Sequence, residues 1–294
     1  MKAHSNRIGR FVMALIAVLF CTATAFAQAA QQQPPAQNPP AQTPPPADKS
    51  APPQATPLTL ESTPPPVSAE EEAAYKVFHD QQPTDPAKKD QLGDEFLQKY
   101  PQSRYRAEVY SWEVKSFYAK GQVDKMEETA DKELVLAPDD PQTLAIVCSV
   151  LPRAINASTP DPMKRVAKAE QFCQKSLDIL ATMPKPEGMT DETFQVMKNQ
   201  ISAFAYSGLG VAAFRRGKFA DAATNLDKSV KLDTQPDQVN YYVLAISHQK
   251  TSHFEDAIAA FNKCASVPGG LQATCTQGAE EAKKLAATQL SAPK

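Results

Sequence analysis

The chain has 294 residues, 31 Lys and Arg against 33 Asp and Glu, and a formal net charge of −2. That balance argues against a nucleic-acid partner, whose phosphates demand clustered basic side chains. With 10 glycines, one bare G-x-G at Gly208-Leu209-Gly210 and no G-x-G-x-x-G or G-x4-GK run, the sequence offers no phosphate-cradling loop either.

Residues 1–27 read as a secretory signal peptide. Lys2, Arg7 and Arg10 precede an apolar run from Phe11 to Phe20, and Ala25-Phe26-Ala27 supplies small residues for a peptidase. Cleavage after Ala27 is expected, which places the mature chain in the periplasm or outside the cell. The alternative is an uncleaved inner-membrane anchor, although the run is short beside the roughly 20 apolar residues of a span. Cys21 follows the bulky Phe20, which disfavours a lipoprotein signal. Residues 28–67 then form a low-complexity stretch with 13 prolines between Pro34 and Pro66. Proline removes the amide donor and fixes φ, so this segment is expected to be a disordered tether. A ligand for a proline-recognition domain is the sharper alternative.

Helices begin at Ser68, whose hydroxyl caps a turn rich in Glu70, Glu71 and Glu72. The first helix runs to about Asp80 with Ala73, Ala74, Val77 and Phe78 inward, and Asp85-Pro86 opens a second through Phe96 to Tyr100. Residues 107–140 form a helical hairpin carrying Tyr110, Phe117, Gly121 and Pro138. Trp112 lies on its first helix and reads as core. A further hairpin starts at Pro141, and its helices are separated by a long loop from Pro152 to Pro162. Thr190-Asp191 opens a long helix that runs into Arg216, and a last helix covers 271–290 with one apolar face. Eleven helices and no strand are expected.

Two stretches echo each other at a spacing of 35 residues. Tyr206, Leu209 and Gly210 recur as Tyr241, Leu244 and Ala245; Phe219, Ala222, Leu226 and Ser229 recur as Phe254, Ala257, Phe261 and Cys264. Gly210 against Ala222, and Ala245 against Ala257, read as the small residues where paired helices cross. A period near 34, with large-x2-Leu-small early, Ala-x3-aromatic late and a closing Pro, resembles the tetratricopeptide repeat (TPR). Phe96-Leu-Gln-Lys-Tyr-Pro-Gln-Ser103 resembles junctions in TPR proteins of the bacterial envelope, such as outer-membrane assembly lipoproteins. The resemblance implies an all-α, TPR-like helical-hairpin solenoid over 68–294, closed by a C-terminal capping helix.

It also implies a non-catalytic scaffold binding an unknown protein or peptide, with a structural subunit of an envelope assembly complex as the alternative. The family lines its groove with the second, fifth, ninth, twelfth and thirteenth positions of each first helix. Here those are Phe204, Ser207, Val211, Phe214 and Arg215, then Val239, Tyr242, Ile246, Gln249 and Lys250. Arg215 and Lys250 at one end would suit an acidic residue of a peptide; the bland reading is packing under neighbouring helices. The Lys/Asn clamp for a C-terminal carboxylate is absent, since Ser207, Val211 and Val243 stand at its places.

Four cysteines follow the signal, and outside the cytosol an even number reads as disulfides. Cys264 lies late in one helix and Cys275 early in the next, so that pair is favoured. Cys148–Cys173 would join the two helices of one repeat, and four small buried hydrophobes are the competing reading. Neither a metal nor a cofactor is expected. His248 and His253 are five apart across a turn, and Ser207-Gly208-Leu209-Gly210 lacks the glycines of a nucleophile elbow. Carboxylates such as Glu127 and Glu128 read as solvated, and no enzyme is expected.

Overall fold

Eleven α-helices and no strand make up the described residues of a computed structural model, which are 67–82 and 84–291, with side chains to 288. The expected signal and proline-rich segment lie outside them. In order the helices are α1 (Ala69–Asp80), α2 (Pro86–Lys99), α3 (Arg106–Ala119), α4 (Val123–Leu136), α5 (Pro141–Val150) and α6 (Pro162–Thr182). They continue as α7 (Asp191–Arg215), α8 (Phe219–Leu232), α9 (Gln238–Lys250), α10 (Phe254–Ser266) and α11 (Gln272–Ser291). Each packs on its chain neighbour. In addition α3 packs on α5, α5 on α7, and α7 on α9, so the first helices of successive hairpins lie side by side.

Local chemistry sets the helix starts. Ser68 Oγ accepts from Glu71 N at 3.1 Å, Asp85 Oδ1 from Lys88 N at 3.1 Å, and Thr190 Oγ1 from Thr193 N at 3.2 Å. Asp140 and Asp237 cap α5 and α9 in the same way, with Asp140 Oδ1 accepting from Gln142 N and Asp237 Oδ1 from Asn240 N, both at 2.8 Å. Each carboxylate or hydroxyl satisfies an amide that has no partner within its helix. Pro86, Pro141 and Pro162 occupy first positions, where a missing N–H costs nothing.

The core runs along the hairpins in three clusters. Phe78, Phe96 and Val109 anchor the first, with Trp112 at its edge donating Nε1–H to Asp90 at 2.9 Å. Val114, Met126, Ile146, Leu151, Leu180 and Ile201 fill the second. Leu226, Leu244, Phe261, Leu271 and Ala282 fill the third. At the crossing of α7 and α8 a Cβ on Gly210 would lie 2.5 Å from Leu226 Cγ, so the nearest side chain over Gly210 is Leu226, which the echo alone does not point to.

Cys148 on α5 faces Cys173 on α6 across a Cα–Cα separation of 5.4 Å, and Cys264 on α10 faces Cys275 on α11 across 5.8 Å. All four are fully buried. The α10–α11 turn is further held by Gln238, whose Nε2 donates to Val267 O at 2.6 Å while its Oε1 accepts from Leu271 N at 3.0 Å.

Two glutamates are buried. Glu113 on α3 is 7% exposed and Glu133 on α4 is 1% exposed. Burial, then Asp94 and Asp90, pushes the Glu113 carboxyl up to about 7, against the weaker pull of Lys132. Burial, then Asp140, pushes Glu133 up to about 8, against Thr143 and Lys115. Glu127 departs from expectation, half-buried and bonded to Arg165.

Folded Glu113 and Glu133 hold their protons to a higher pH than they would in the unfolded chain. Their contribution to stability is therefore complete below the ordinary glutamate value near 4.5 and is lost as pH rises through about 7 and about 8. Melting temperature should fall between pH 6 and pH 9, and Glu133→Gln should raise it at pH 9 and flatten the slope. A pH-independent melt would show both carboxylates solvated.

The turn geometry supplies a second expectation. Gly217, closing α7, has φ 72°, and its 35-residue equivalent Ser252, closing α9, has φ 62°. A serine pays the left-handed penalty that glycine avoids, partly offset by the flexibility glycine adds to the unfolded chain. Ser252→Gly should stabilise by about 0.5–1 kcal/mol in urea denaturation.

Candidate partner-binding cleft

Side-by-side packing of α3, α5, α7 and α9 turns one face of each first helix toward a shared surface. There the end of α3, the length of α5, the middle of α7 and the 232–237 connection enclose a cleft of about 470 Å³. Gln142, Ala145, Ile146, Ser149 and Arg153 line one wall, a spacing that keeps them on one side of α5 and its extension. Gln200, Phe204 and Ser207 do the same from α7, and Asp233, Thr234, Gln235, Asp237 and Asn240 complete the far side.

Arg153 forms the floor. Its Nη1 donates to Asp237 Oδ2 at 2.6 Å, and its Nη2 to Ser207 Oγ and Asn240 Oδ1, each at 2.6 Å. Ser207 Oγ in turn donates to Asn240 Oδ1 at 2.8 Å. One guanidinium thus joins the end of α5 to α7 and to the N-terminus of α9. Burial alone would raise the Asp237 carboxyl; the Arg153 charge and bond, with the Asn240 and Val239 amides, outweigh it and hold the group below its ordinary value. The Arg153 Nε is shielded from solvent and has no partner.

The rim is aromatic. Tyr118 and Phe204 meet edge to face with centroids 5.6 Å apart. Burial raises the Tyr118 hydroxyl, Arg153 lowers it, and Asp237 and Asp233 raise it further. Asp233 Oδ1 accepts from Gln235 N at 2.9 Å.

Of the ten residues expected to line a groove, Phe204 and Ser207 do border this cleft. Val211 is buried in the C-terminal core, and Phe214 packs on Phe219 at 5.6 Å. Arg215 points into the inserted loop, its Nε donating to Pro152 O at 3.0 Å and its Nη2 to Ile155 O at 3.4 Å. Val239, Tyr242 and Ile246 pack against the C-terminal core, with the Tyr242 ring 6.3 Å from Phe261. Gln249 is half-buried and Lys250 exposed at the end of α9.

Sequence reasoning passed over Tyr118, Gln142, Ser149 and Arg153. The same positional register, started at 107 and 141, would have reached all four. Nothing local marks Asp233 or Asn240, which arrive through the packing of α8 and α9. Elsewhere, His248 Nε2 lies 3.8 Å from Asp227 and the two histidine rings are 6.2 Å apart. Among the described residues no group of three His, Cys, Asp or Glu could hold a metal ion, and no helix is long and apolar enough to cross a membrane.

No protein-family model and no curated protein matches the chain. Among solved structures it is similar to PilW, described as a widely conserved type IV pilus biogenesis factor, with a TM-score of 0.44 and 15% identity over 76% of this chain and 96% of that one. A likeness this distant leaves fold and function to be argued from the residues.

The floor can be tested directly. Side chains of Arg153 and Asp237 are 24% and 46% exposed, so their bond is worth less than a fully buried pair. Arg153→Met should cost about 1–3 kcal/mol through the acceptors it strands. In a urea double-mutant cycle with Asp237→Asn the two costs should fall short of additive by at least about 0.5 kcal/mol. Strict additivity would mean that the two side chains do not interact.

Proposed function

We propose that the chain is a non-catalytic interaction scaffold of the TPR type, exported to the bacterial envelope, that binds a peptide or protein segment in the α3–α5–α7–α9 cleft. The observation that carries this reading is the cleft itself. It lies on the first-helix face and combines an aromatic rim at Tyr118 and Phe204 with side-chain amides at Gln142, Gln200 and Gln235. Rings supply contact area at little entropic cost, and amides can pair with an extended backbone. Equivalent turns at Gly217 and Ser252, 35 residues apart, support the repeat reading. In an oxidising compartment Cys148–Cys173 and Cys264–Cys275 would be bonded, clamping α5 to α6 and α10 to α11.

A photo-crosslinking residue placed at Gln200, on the cleft rim, should yield a discrete partner adduct in intact cells. The same residue at Glu280, exposed on α11, should not. Equal adducts at both positions, or none at Gln200, would reject the cleft as the binding surface.

A further inference from the structure

Resting on that reading, we propose that the cleft selects a cationic side chain, Lys or Arg, of an extended partner polypeptide, seated between Asp233 and the Tyr118–Phe204 rings. Three charged residues line the cleft: Arg153, Asp233 and Asp237. The positive one is already engaged. Three of the five Arg153 N–H groups donate to Asp237, Ser207 and Asn240, and Nε is shielded from solvent, so most of the guanidinium is committed within the fold. Asp237 is matched by that guanidinium on one oxygen and by the Asn240 amide on the other.

Asp233 is different. It is half-buried and accepts one bond from the Gln235 amide; among the described residues no cation lies within ion-pair distance of it, and Arg153 feels its charge only from further away. The lining therefore carries a net charge of one carboxylate. Asp233, Asp237 and Arg153 all act on the Tyr118 hydroxyl, which places the free acid and the aromatic rim in one neighbourhood. Ring faces attract cations, and a carboxylate in a partly dry cleft attracts them more strongly than one in open water. A Lys or Arg side chain satisfies both at once, its apolar stem along the rings and its head at Asp233. This is the opposite charge to the acidic partner that Arg215 and Lys250 imply in sequence, because Arg215 is held by loop carbonyls.

Fluorescein-labelled, end-capped 12-residue peptide pools built from Ala, Ser, Leu and Pro, with a fixed central Lys or Arg, Gln, or Glu, test this by anisotropy against the exported chain. The cationic pools should bind about tenfold more tightly than the Gln pool at low ionic strength and lose that advantage in high salt. Asp233→Asn should erase the advantage while leaving the melt unchanged, because asparagine keeps an acceptor for the Gln235 amide. Tyr118→Leu should reduce it independently. If the Glu pool binds as tightly as the cationic pools and Gln200→Trp abolishes binding, the cationic selection is wrong and the cleft stands. If no pool binds, or Gln200→Trp changes nothing, the cleft reading falls and this inference with it.

Discussion

The region around the cleft depends on one guanidinium. In a stack of helical hairpins each unit touches chiefly its neighbours, and stability accumulates from those local contacts. Arg153 breaks that rule by reaching residues 84 and 87 positions further along the chain. It lies just beyond α5, in the opening turn of the long 151–161 connection, and it ends on the capping residue of α9. The connection is fixed from the other side as well, by Arg215 donating to the carbonyls of Pro152 and Ile155. Two arginines, one leaving the loop and one entering it, tie an insertion into the fold that would otherwise hang from it.

The wall behind that floor is one backbone thick. On α5, Ser149 faces the cleft while the adjacent Cys148 faces Cys173 on α6. On α7, Ser207 faces the cleft while Gly208 packs directly against Cys173 Sγ, where an added Cβ would sit 2.7 Å from Cys148 O. Only glycine allows α7 to approach so closely. Close packing on the sulfurs and the cleft-side bond to Arg153 thus fall on adjacent residues of α7. Core and cleft are two faces of one constraint.

Much of the fold was legible because its causes are local. Ser68, Asp85 and Thr190 cap the helices they precede, and the 35-residue echo places α7 through α10 as paired hairpins. What was not legible depends on contacts between distant parts. That Leu226 is the nearest side chain over Gly210 depends on how the two helices of the hairpin pack, which the echo does not specify. Glu113 and Glu133 look like ordinary surface acids until α2 and α5 close over them. Phe204 and Ser207 could be placed in the cleft from the repeat register, whereas Asp233 and Asn240 depend on how the α8–α9 connection folds back.

The same folding back explains the sign of the cleft. A repeat surface with Arg153 and Arg215 near its centre would be expected to attract acids. Both arginines instead satisfy acceptors within the fold: carboxylate, hydroxyl and amide oxygens for one, backbone carbonyls for the other. Desolvating a guanidinium is costly, and the bonds to these acceptors offset much of that cost, although Arg153 Nε keeps no partner. With both arginines so engaged, the cleft carboxylate with no cation at ion-pair distance is Asp233, on the same cleft as Tyr118 and Phe204. The insertion that disturbs the regular repeat thus removes positive charge from the surface and leaves an acidic, aromatic-rimmed recess in its place.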